Sequence, residues 1–495
     1  MAGFMIAAPR SGSGKTMVTC GILELLKRKQ KNPFSYKCGP DYIDGLFHRK
    51  VLGIEGGNLD SFFEQPQDMR EKYAAVSETH FPVVEGVMGY FDGLGGDTTA
   101  ASSWEVADIL DLPVVLVVDA KGASLSLAAL IKGFQVFQGE SQSSQANKNG
   151  NHIQAVILNR ISPMLYPRMK AVIEKETGVL VAGYVPELDF WQVGSRHLGL
   201  VLPGEIENLQ EQMRQLGDCL EKTLDVDVLL KLGEKADIDV LGSVTVTADG
   251  SSQKCEAQKN ADLVLQNQFA GEKISHSAIP IRLGVAWDEA FCFYYRDNLE
   301  FLEKQGVQIV QFSPVHDKHL PDDLDGLLLG GGYPELYAKA LGENETIRNE
   351  IRRKAEEDMP ILAECGGYLY LLKELEDENG TGYEMAGVFS GKGYKKGKNS
   401  HFGYITVQTE KDSLYLKAGE TIKGHEFHYW ESTQDENELK MQAKKPTGKR
   451  SWPCVTVKNQ VMAGFPHLYY PSLEGFGERF VQACDRYRMK RKRQQ

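Results

Sequence analysis

Cysteine, basic charge and long apolar runs are all scarce in this 495-residue sequence, and each shortage excludes a class of protein. The eight cysteines lack paired spacing, which argues against a disulfide framework or a Cys-x-x-Cys metal site and indicates a reducing compartment. A formal net charge of -12 argues against a general nucleic-acid binder, because such proteins present basic surface to phosphates. The apolar run 114–118 is too short to span a bilayer, and residues 1–9 lack the basic flank and cleavage site of a signal peptide. We therefore expect a soluble, cytoplasmic protein without membrane or nucleic-acid partners.

Short apolar runs that end in glycine or an acid, each followed by helical periodicity, fill the first part of the chain. Runs of this kind are typical of parallel strands buried on both faces, and their alternation with helices predicts an open α/β sheet. They lie at residues 4–8, 34–37, 82–85, 114–119, 153–159 and 179–185. From 205 to 235 the apolar spacing of three and four predicts helix. The total length suits two domains better than one core.

A second α/β pattern begins near residue 281, after a polar stretch that indicates a linker. The stretch 242–277 is rich in Ser, Gln, Lys and Asn, and a smaller polar patch at 139–151 indicates a surface insertion. Beyond residue 387, aromatic and β-branched runs predict antiparallel hairpins. The basic run Lys490-Arg491-Lys492-Arg493 is interpreted as a solvated tail. We predict a first domain at 1–238, a linker at 239–279, a second domain at 280–487 and a basic tail at 488–495.

The segment that ends in Gly-Lys-Thr near the N-terminus has the form of a phosphate-binding loop. It follows a predicted strand and opens a predicted helix, so backbone N–H groups and the helix N-terminus face the anion. The predicted nucleotide-binding residues of the loop are Gly12, Ser13, Gly14, Lys15 and Thr16. Lys15 is expected to neutralise the β and γ phosphates, and Thr16 to ligate Mg²⁺. Pro9 replaces the first glycine of the usual G-x-x-x-x-G-K-[ST] pattern, so the loop is a variant form.

Charged side chains follow two other predicted strands, at the edge where ligands bind in open sheets. Glu85 is placed to hold Mg²⁺, with a structural salt bridge as the alternative. Lys37 is assigned to the transferred phosphate, and Asp41 to Mg²⁺ or to an incoming carboxylate. The alternative for Asp41 is a Gly-Pro-Asp turn whose acid is bonded to its own backbone. Tyr42 and Asp44 are predicted to join Asp41 in binding the substrate.

Cys365 lies between the apolar run 360–363 and a predicted helix, which indicates a tight strand-to-helix turn. The positive end of the helix is expected to lower the pKa of the thiol toward the reactive thiolate. Bare glycine backbone is suited to bind an oxyanion, a role assigned to Gly331, Gly332 and Gly366. His467 follows a Gly-Phe-Pro turn and is the candidate base, although a histidine taken alone is more often structural.

His425 and His428 are close enough in the sequence to invite interpretation as metal ligands. Their spacing differs from that of the His-Glu-x-x-His zinc helix, and no cysteine pair lies nearby in the sequence. We therefore expect no metal ion at these two histidines.

The two groups of motifs together resemble the cobyrinic acid a,c-diamide synthases. The resemblance is carried by residues 7–16, 37–44, 58–60, 85–93, 330–337, 363–370, 400–404, 424–430 and 467–470. It implies an α/β fold with an N-terminal P-loop parallel-sheet domain, similar to dethiobiotin synthetase, and a C-terminal class I glutamine amidotransferase domain of flavodoxin-like form. Nearly the whole chain is covered, apart from the two polar stretches.

The resemblance implies an ATP-dependent amidation. Glutamine is hydrolysed at Cys365, and ammonia passes to the other domain, where ATP has phosphorylated a carboxylate of a corrinoid. Displacement of phosphate then forms the amide at the a and c acetate side chains during cobalamin biosynthesis. The implied partners are cobyrinate, L-glutamine and ATP, with Mg²⁺ as cofactor, and a homodimer is left open.

Three positions qualify the resemblance. Asn159 looks like the family's adenine-reading residue, although an Asn that caps the next helix is equally compatible with the sequence. Class I amidotransferases usually carry a glutamate two residues after the histidine, where this chain has Tyr469, and Ala363 replaces the first glycine of the cysteine elbow.

Two alternative functions stay open beside amidation of cobyrinate. One is amidation of another tetrapyrrole or corrinoid (nickel sirohydrochlorin, hydrogenobyrinate or cobyric acid), and the other is a non-enzymatic P-loop regulator.

Overall fold

The computed structural model describes residues 3–137, 152–191, 206–234, 280–396, 401–434 and 439–494. The predicted insertion at 139–151 and the predicted linker at 239–279 lie outside these residues. The described residues form a seven-stranded sheet, a ten-stranded sheet and two smaller sheets of two and four strands. Within the ranges given, no helix combines the length and the apolar character needed to cross a membrane.

The first sheet contains seven parallel strands. They are β1 (Phe4–Ala7), β2 (Pro33–Cys38), β3 (Gly56–Leu59), β4 (Phe81–Glu85), β5 (Val114–Asp119), β6 (Ile153–Asn159) and β7 (Leu180–Val185). Their order is β3-β2-β4-β1-β5-β6-β7, with every neighbouring pair parallel. The central strands are buried from end to end because helices cover both faces of the sheet, so the predicted parallel α/β sheet is confirmed.

Eight helices accompany this sheet in the described part of the chain. They are α1 (Lys15–Arg28), α2 (Ile43–Phe47), α3 (Pro66–Ser77), α4 (Ser103–Leu110), α5 (Ser126–Val136), α6 (Tyr166–Thr177), α7 (Ile206–Thr223) and α8 (Val226–Glu234). The apolar stripe of α7, with Met213, Leu216 and Leu220 buried, packs against α1. The contact is close, because a Cβ atom on Gly21 would lie 2.2 Å from Leu220 Cδ1. The helical pattern predicted from 205 to 235 is therefore confirmed, because α7 and α8 occupy this range.

The second part of the chain contains sixteen described strands. They are β8 (Ile281–Ala286), β9 (Phe291–Phe293), β10 (Val307–Phe312), β11 (Gly326–Leu329), β12 (Gly331–Gly332), β13 (Ile361–Glu364), β14 (Glu374–Glu376), β15 (Gly382–Glu384), β16 (Lys392–Lys395), β17 (Phe402–Gln408), β18 (Thr421–Phe427), β19 (Trp430–Ser432), β20 (Leu439–Lys444), β21 (Ser451–Lys458), β22 (Val461–Gly464) and β23 (His467–Leu468). Ten of them form one sheet in the order β10-β8-β11-β13-β22-β21-β20-β17-β18-β23. The pairs from β10 to β22 are parallel and the remaining pairs are antiparallel, as the hairpin signals beyond residue 387 predict.

Five helices accompany the second sheet among the described residues: α9 (Arg296–Lys304), α10 (Ala338–Glu343), α11 (Glu345–Glu356), α12 (Gly366–Leu371) and α13 (Phe476–Gln494). Helix α13 contains the basic run that the sequence indicated as a solvated tail. Lys490 Nζ lies 3.2 Å from Asp358 Oδ2, and an Arg491 amino group donates to Asp325 Oδ1 at 3.1 Å. The run is thus largely solvent-exposed as predicted, but it continues a helix instead of forming an irregular tail, and two of its cations pair with acids. Positive charge is favourable at a helix C-terminus.

The two parts of the chain meet through an aromatic cluster. Tyr42 and Phe63 from the first part pack with Phe293, Tyr295 and Tyr469 from the second. The Tyr42 and Phe293 rings are stacked at 5.4 Å, and so are the Phe63 and Tyr469 rings at 5.0 Å. Through this cluster, the loop after β2 packs against the segment that follows β23.

Polar contacts surround the aromatic cluster. Lys72 Nζ donates to Asp297 Oδ2 at 2.9 Å, Tyr404 donates its hydroxyl to Asp60 Oδ2 at 2.9 Å, and Lys423 Nζ donates to the Phe62 carbonyl at 2.7 Å. Each of these hydrogen bonds joins the two parts of the chain. Because hydrogen bonds are directional, they fix the relative position of the two parts more precisely than apolar contacts alone would.

Candidate active site

The phosphate-loop segment forms a tight turn between β1 and α1. Gly12 and Gly14 have φ of 76° and 93°, in the left-handed region that favours glycine. A Cβ atom on Gly14 would lie 2.2 Å from Asn159 Nδ2, and this amide donates to the Ser13 carbonyl at 2.9 Å. Asn159, which the sequence assigned to adenine or to a helix cap, thus holds the loop against the end of β6. The Ser13 hydroxyl donates to the Arg10 carbonyl at 2.9 Å.

Charged groups gather where β2 and β4 end beside this loop. Thr16 Oγ1 donates to Glu85 Oε1 at 2.6 Å, and Lys37 Nζ donates to the same oxygen at 2.8 Å. Lys37 also pairs with Asp44. Burial raises the pKa of Glu85 to about 7, an effect that Lys37 opposes. Burial together with the charge of Lys37 lowers the pKa of Lys15 to about 8.

The surroundings of the second oxygen of Glu85 show whether the side chains here fit Mg²⁺. Glu85 Oε2 is buried and finds no hydrogen-bond partner within the described ranges. A buried carboxylate oxygen without a donor is costly, and a cation relieves that cost. Together with the Thr16 hydroxyl it offers the oxygen ligands that Mg²⁺ prefers. The side chains therefore fit Mg²⁺ at this point.

Asp41 uses its two oxygens differently. Oδ1 accepts from the backbone N–H of Ile43 at 2.9 Å, which is the turn contact that the sequence left as an alternative. Oδ2 lies 3.8 Å from Lys37 Nζ, and the side chain is 31% exposed. One oxygen thus stabilises the start of α2 while the other stays available at the charged cluster.

These groups share one cavity of about 870 Å³. The predicted site residues that line it are Gly12, Gly14, Lys15, Thr16, Lys37, Asp41, Asp44, Glu85 and Asn159. Arg160 and Trp191 line it as well, and no motif in the sequence marks either residue beyond its place after a strand. The cavity is large enough for a nucleotide and is bordered by both cations and acids.

Cys365 stands at the strand-to-helix turn between β13 and α12, as predicted. It has φ 46° and ψ -101°, a conformation that a non-glycine residue rarely adopts and that occurs at functional sites. Burial raises the pKa of its thiol, and the neighbouring Glu335 adds to the effect. The expected lowering of this pKa is wrong for this structure, because α12 is short and the thiol is buried near acids.

The glycine loop lies against both Cys365 and His467. A Cβ atom on Gly331 would lie 2.2 Å from His467 Cε1, and one on Gly366 would lie 3.1 Å from the Gly332 nitrogen. Side chains at these positions would fill the space between the loop and the histidine. The structure thus brings together all five residues that the sequence assigned to the thiol site.

His467 is buried without an acid at its ring. Its Nδ1 finds no hydrogen-bond partner among the described residues, and its ring stacks on His425 at 4.8 Å. Burial lowers the pKa of His467 to about 3, so the imidazole is neutral at neutral pH. The His425 ring is in turn fixed by Tyr295, whose hydroxyl lies 2.8 Å from His425 Nδ1.

Glu364 and Glu335 are acids at this site that the sequence reasoning missed. Glu364 accepts from the Leu468 N–H at 3.3 Å and from the Tyr470 hydroxyl at 3.1 Å, so it holds the segment that follows His467. Burial raises the pKa of Glu364 to about 8, and burial raises the pKa of Glu335 to about 8. The available signal was their position next to the cysteine elbow and the glycine loop.

Tyr42 connects the two sites. Its chain neighbour Asp41 lines the cavity, whereas the Tyr42 ring lies 5.4 Å from the His467 ring and 5.6 Å from the His425 ring. Tyr42 was predicted to bind substrate beside Asp41, and the structure instead packs it in the interface cluster against the candidate base. The phosphate cavity and the thiol site are therefore one residue apart along the chain at this point.

Two family models match the chain. Residues 4–200 match the CobQ/CobB/MinD/ParA nucleotide binding domain, and residues 282–473 match the CobB/CobQ-like glutamine amidotransferase domain. The first match contains the whole parallel sheet with its phosphate loop, and the second contains the cysteine elbow, the glycine loop and His467.

Curated relatives align with the chain from end to end. The chain is 35% identical over 488 residues to a cobyrinate a,c-diamide synthase of Caldanaerobacter subterraneus subsp. tengcongensis, covering 98% of each chain. It is 37% identical to the enzyme of that name from Streptococcus sanguinis, covering 94% of this chain and 95% of the relative. A cobyrinate a,c-diamide synthase of Salmonella typhimurium is 37% identical over 86% of this chain and 85% of its own. Because relatives of that name are at least 35% identical over nearly the whole of both chains, the chain belongs to the cobyrinate a,c-diamide synthase family.

Proposed function

We propose that the protein is a carbon-nitrogen ligase that uses ATP and glutamine to amidate the a and c acetate side chains of cobyrinate in cobalamin biosynthesis. The observation that carries this proposal is the contact of Tyr42 with His467, because it joins a phosphate cavity to a thiol site inside one chain. Coupled sites are what an amidation needs when the nitrogen is released in one place and used in another. Both proposed sites draw their residues from a single chain, so neither requires a homodimer.

The thiol site is proposed to release ammonia from glutamine. Cys365 Sγ attacks the carboxamide carbon, and neutral His467 accepts the thiol proton, then returns it to the departing ammonia. We assign stabilisation of the oxyanion to the backbone N–H groups of Gly331, Gly332 and Gly366. Water then hydrolyses the thioester to glutamate. The raised pKa of the Cys365 thiol makes the base necessary, because the thiolate is scarce before the proton is removed.

The phosphate cavity is proposed to activate the carboxylate. Lys15 and Lys37 neutralise the phosphates of ATP. Asp41 and Asp44, which lie beside Lys37, hold its amine in place and orient the substrate in the cavity. When bound, Mg²⁺ would be held by Thr16 and Glu85, and by Asp41 if its second oxygen is not used by the substrate, and it would offset charge on the β and γ phosphates. The carboxylate attacks the γ phosphorus of ATP to give an acyl phosphate, and ADP departs. Ammonia then attacks the acyl carbon and displaces inorganic phosphate to give the amide.

Domain assignments follow from these roles. We assign residues 1–238 to the ATP-dependent amide synthetase domain and 280–487 to the amidotransferase domain. The aromatic cluster of Tyr42, Phe63, Phe293, Tyr295 and Tyr469 joins the two domains, and ammonia is proposed to cross at this interface.

Product analysis tests the proposed reaction. Protein incubated with cobyrinate, ATP, Mg²⁺ and amide-¹⁵N glutamine is expected to yield first a monoamide and then a diamide, each new amide carrying ¹⁵N in the mass spectrum. Nuclear magnetic resonance of the diamide is expected to place both labels on acetate side chains. Amides on propionate side chains, or no amide at all, would contradict the proposal.

The ring of Tyr42 is expected to support the glutaminase reaction from the other domain. Tyr42→Ala removes the contacts with His467 and His425, and we expect glutaminase kcat/KM to fall by about tenfold, the scale of a lost aromatic pair. Tyr42→Phe keeps the ring and is expected to stay near the wild-type rate. Steady-state release of glutamate, without cobyrinate, measures both variants.

Two results would argue against this role for Tyr42. Equal losses in the Ala and Phe variants would assign the effect to the hydroxyl, and unchanged rates in both would leave His467 independent of the first domain. Phe34→Leu serves as a control, because Phe34 is a buried aromatic residue on β2 that contacts neither histidine of the thiol site.

A further inference from the structure

Three side chains able to bind a metal ion converge near the β17–β18 hairpin, outside both reaction sites. They are His401, Glu426 and His428, and their nearest ligand atoms all lie within 4.8 Å of one another. Glu426 and His428 are buried, and His401 is partly buried. A buried carboxylate between two imidazoles is a common ligand set for divalent transition metals.

The distances suit tetrahedral coordination. His428 Nε2 lies 3.6 Å from Glu426 Oε2, and His401 Nδ1 lies 4.0 Å from the same oxygen. In a tetrahedral zinc site with bonds of roughly 2.0–2.1 Å, two ligand atoms are about 3.4 Å apart. A small inward movement would therefore bring the three ligands to coordination distance, whereas a direct hydrogen bond would need a much shorter His428 to Glu426 contact.

The hydrogen bonds behind the ligands fix their orientation. His428 Nδ1 lies 2.7 Å from the Trp430 carbonyl, and since a carbonyl only accepts, Nδ1 carries the proton. The lone pair of Nε2 then faces Glu426, and this buried nitrogen has no hydrogen-bond partner in the part of the chain that is described. Trp452 Nε1 donates to both oxygens of Glu426, at 3.3 and 3.2 Å. Such outer bonds are typical of metal-ligating histidines and carboxylates.

Charge near the cluster is mixed. Lys445 and Arg450 lie over the Trp452 ring and bring positive charge to this region. Glu431 adds a second carboxylate, with Oε1 3.9 Å from His401 Nδ1. Lys396 Nζ lies 3.7 Å from the same Glu431 oxygen, so Glu431 is shared between a cation and His401. The carboxylate that faces both histidines is therefore that of Glu426.

We propose that His401, Glu426 and His428 bind a divalent transition-metal ion of the Zn²⁺ type. The ion would tie the start of β17 to the end of β18. The His428 ring is stacked on Phe465 at 3.9 Å, and Phe465 precedes His467 by two residues, so the ion would support the wall of the thiol site. His425, whose Nδ1 is bonded to Tyr295, is not a ligand. Sequence spacing missed the set because His401 lies just before β17, far in the sequence from Glu426 and His428.

Cobalt titration of the full-length protein tests the site. After treatment with a chelator, and without nucleotide, the protein is expected to bind Co²⁺ with the visible absorption of tetrahedral coordination, and Zn²⁺ is expected to displace it. His401→Asn is the first variant, because His401 is only partly buried, although its ring stacks on Trp452 with the ring centroids 4.3 Å apart. Its Co²⁺ affinity should fall by more than the roughly 10–100-fold that loss of an outer hydrogen bond costs. His428→Gln should behave in the same way.

Two controls make the result specific. His316→Gln alters an exposed histidine bonded to Glu289 and should leave the Co²⁺ spectrum unchanged. Glu85→Gln removes a predicted Mg²⁺ ligand and should also leave it unchanged, which excludes binding at that site. The proposal is overturned if the wild-type protein binds no Co²⁺, if the absorption is octahedral, or if His401→Asn binds as tightly as wild type. Circular dichroism of each variant establishes that it is folded.

Discussion

Cys365→Ala is expected to abolish amidation with glutamine while amidation with ammonium salts continues near the wild-type rate. The variant loses the sulfur that attacks the carboxamide, and loss of a nucleophile costs about 10³-fold or more in kcat. The phosphate cavity does not contain Cys365, so activation of the carboxylate should be untouched. Parallel assays with glutamine and with ammonium chloride, at one ATP concentration, measure the difference.

A second buried cysteine provides the matched control for this result. Cys484 lies in α13, and Cys484→Ala should keep both activities apart from a modest loss of stability for the small cavity. If Cys365→Ala lost both activities equally, the idea of two separable sites would be wrong. A variant that still used glutamine would instead move the nucleophile to another residue.

The phosphate site was largely predictable because its residues follow a rule of sheet geometry. The loop is a contiguous motif, and Lys37 and Glu85 end neighbouring parallel strands, whose carboxyl ends share one edge. What the sequence did not contain was how these groups pair with one another. The bonds from Thr16 and Lys37 to the same oxygen of Glu85 depend on the register of β2 against β4.

The sequence predicted which residues form the thiol site, but not which neighbouring groups hold them in place. The sequence left open which group orients His467, since Tyr469 occupies the usual position of the acid. In the structure, Tyr469 donates its hydroxyl to Asp297 near the domain interface, and Glu364 holds the segment after His467 instead. Contacts of this kind join residues far apart in the chain, so no local pattern encodes them.

The direction of the Cys365 pKa illustrates a second limit. A helix N-terminus lowers a thiol pKa only if the helix is long enough and the thiol is not strongly desolvated. Here burial dominates, with Glu335 adding to it, so the pKa is raised. Sequence indicates that a helix follows Cys365 but does not give its length or the burial of the sulfur. The interface contact of Tyr42 with His467 was hidden for the same reason, because it needs the docked domains.

Lys15→Ala is expected to remove amidation with either nitrogen source while a basal glutaminase activity survives. The amine of Lys15 lies in the phosphate cavity, and its loss removes a positive charge that the β and γ phosphates need. Because the carboxylate is no longer activated, ammonia supplied from outside cannot rescue the reaction. The thiol site keeps Cys365 and His467, and Tyr42 still packs against it. We expect a loss of about 10²-fold or more in kcat/KM for ATP.

Comparison with another lysine of the same helix separates a lost phosphate contact from a disturbed fold. Lys27 lies in α1 and donates to the Leu52 carbonyl away from the cavity, so Lys27→Ala should retain both activities. ATP hydrolysis, glutamate release and amide formation are measured together for both variants. If Lys15→Ala used ATP at the wild-type rate, the phosphate loop would not be the ATP site. If glutaminase activity vanished along with amidation, the thiol site would depend on an occupied or intact phosphate cavity, and the coupling through Tyr42 would be obligatory rather than supportive.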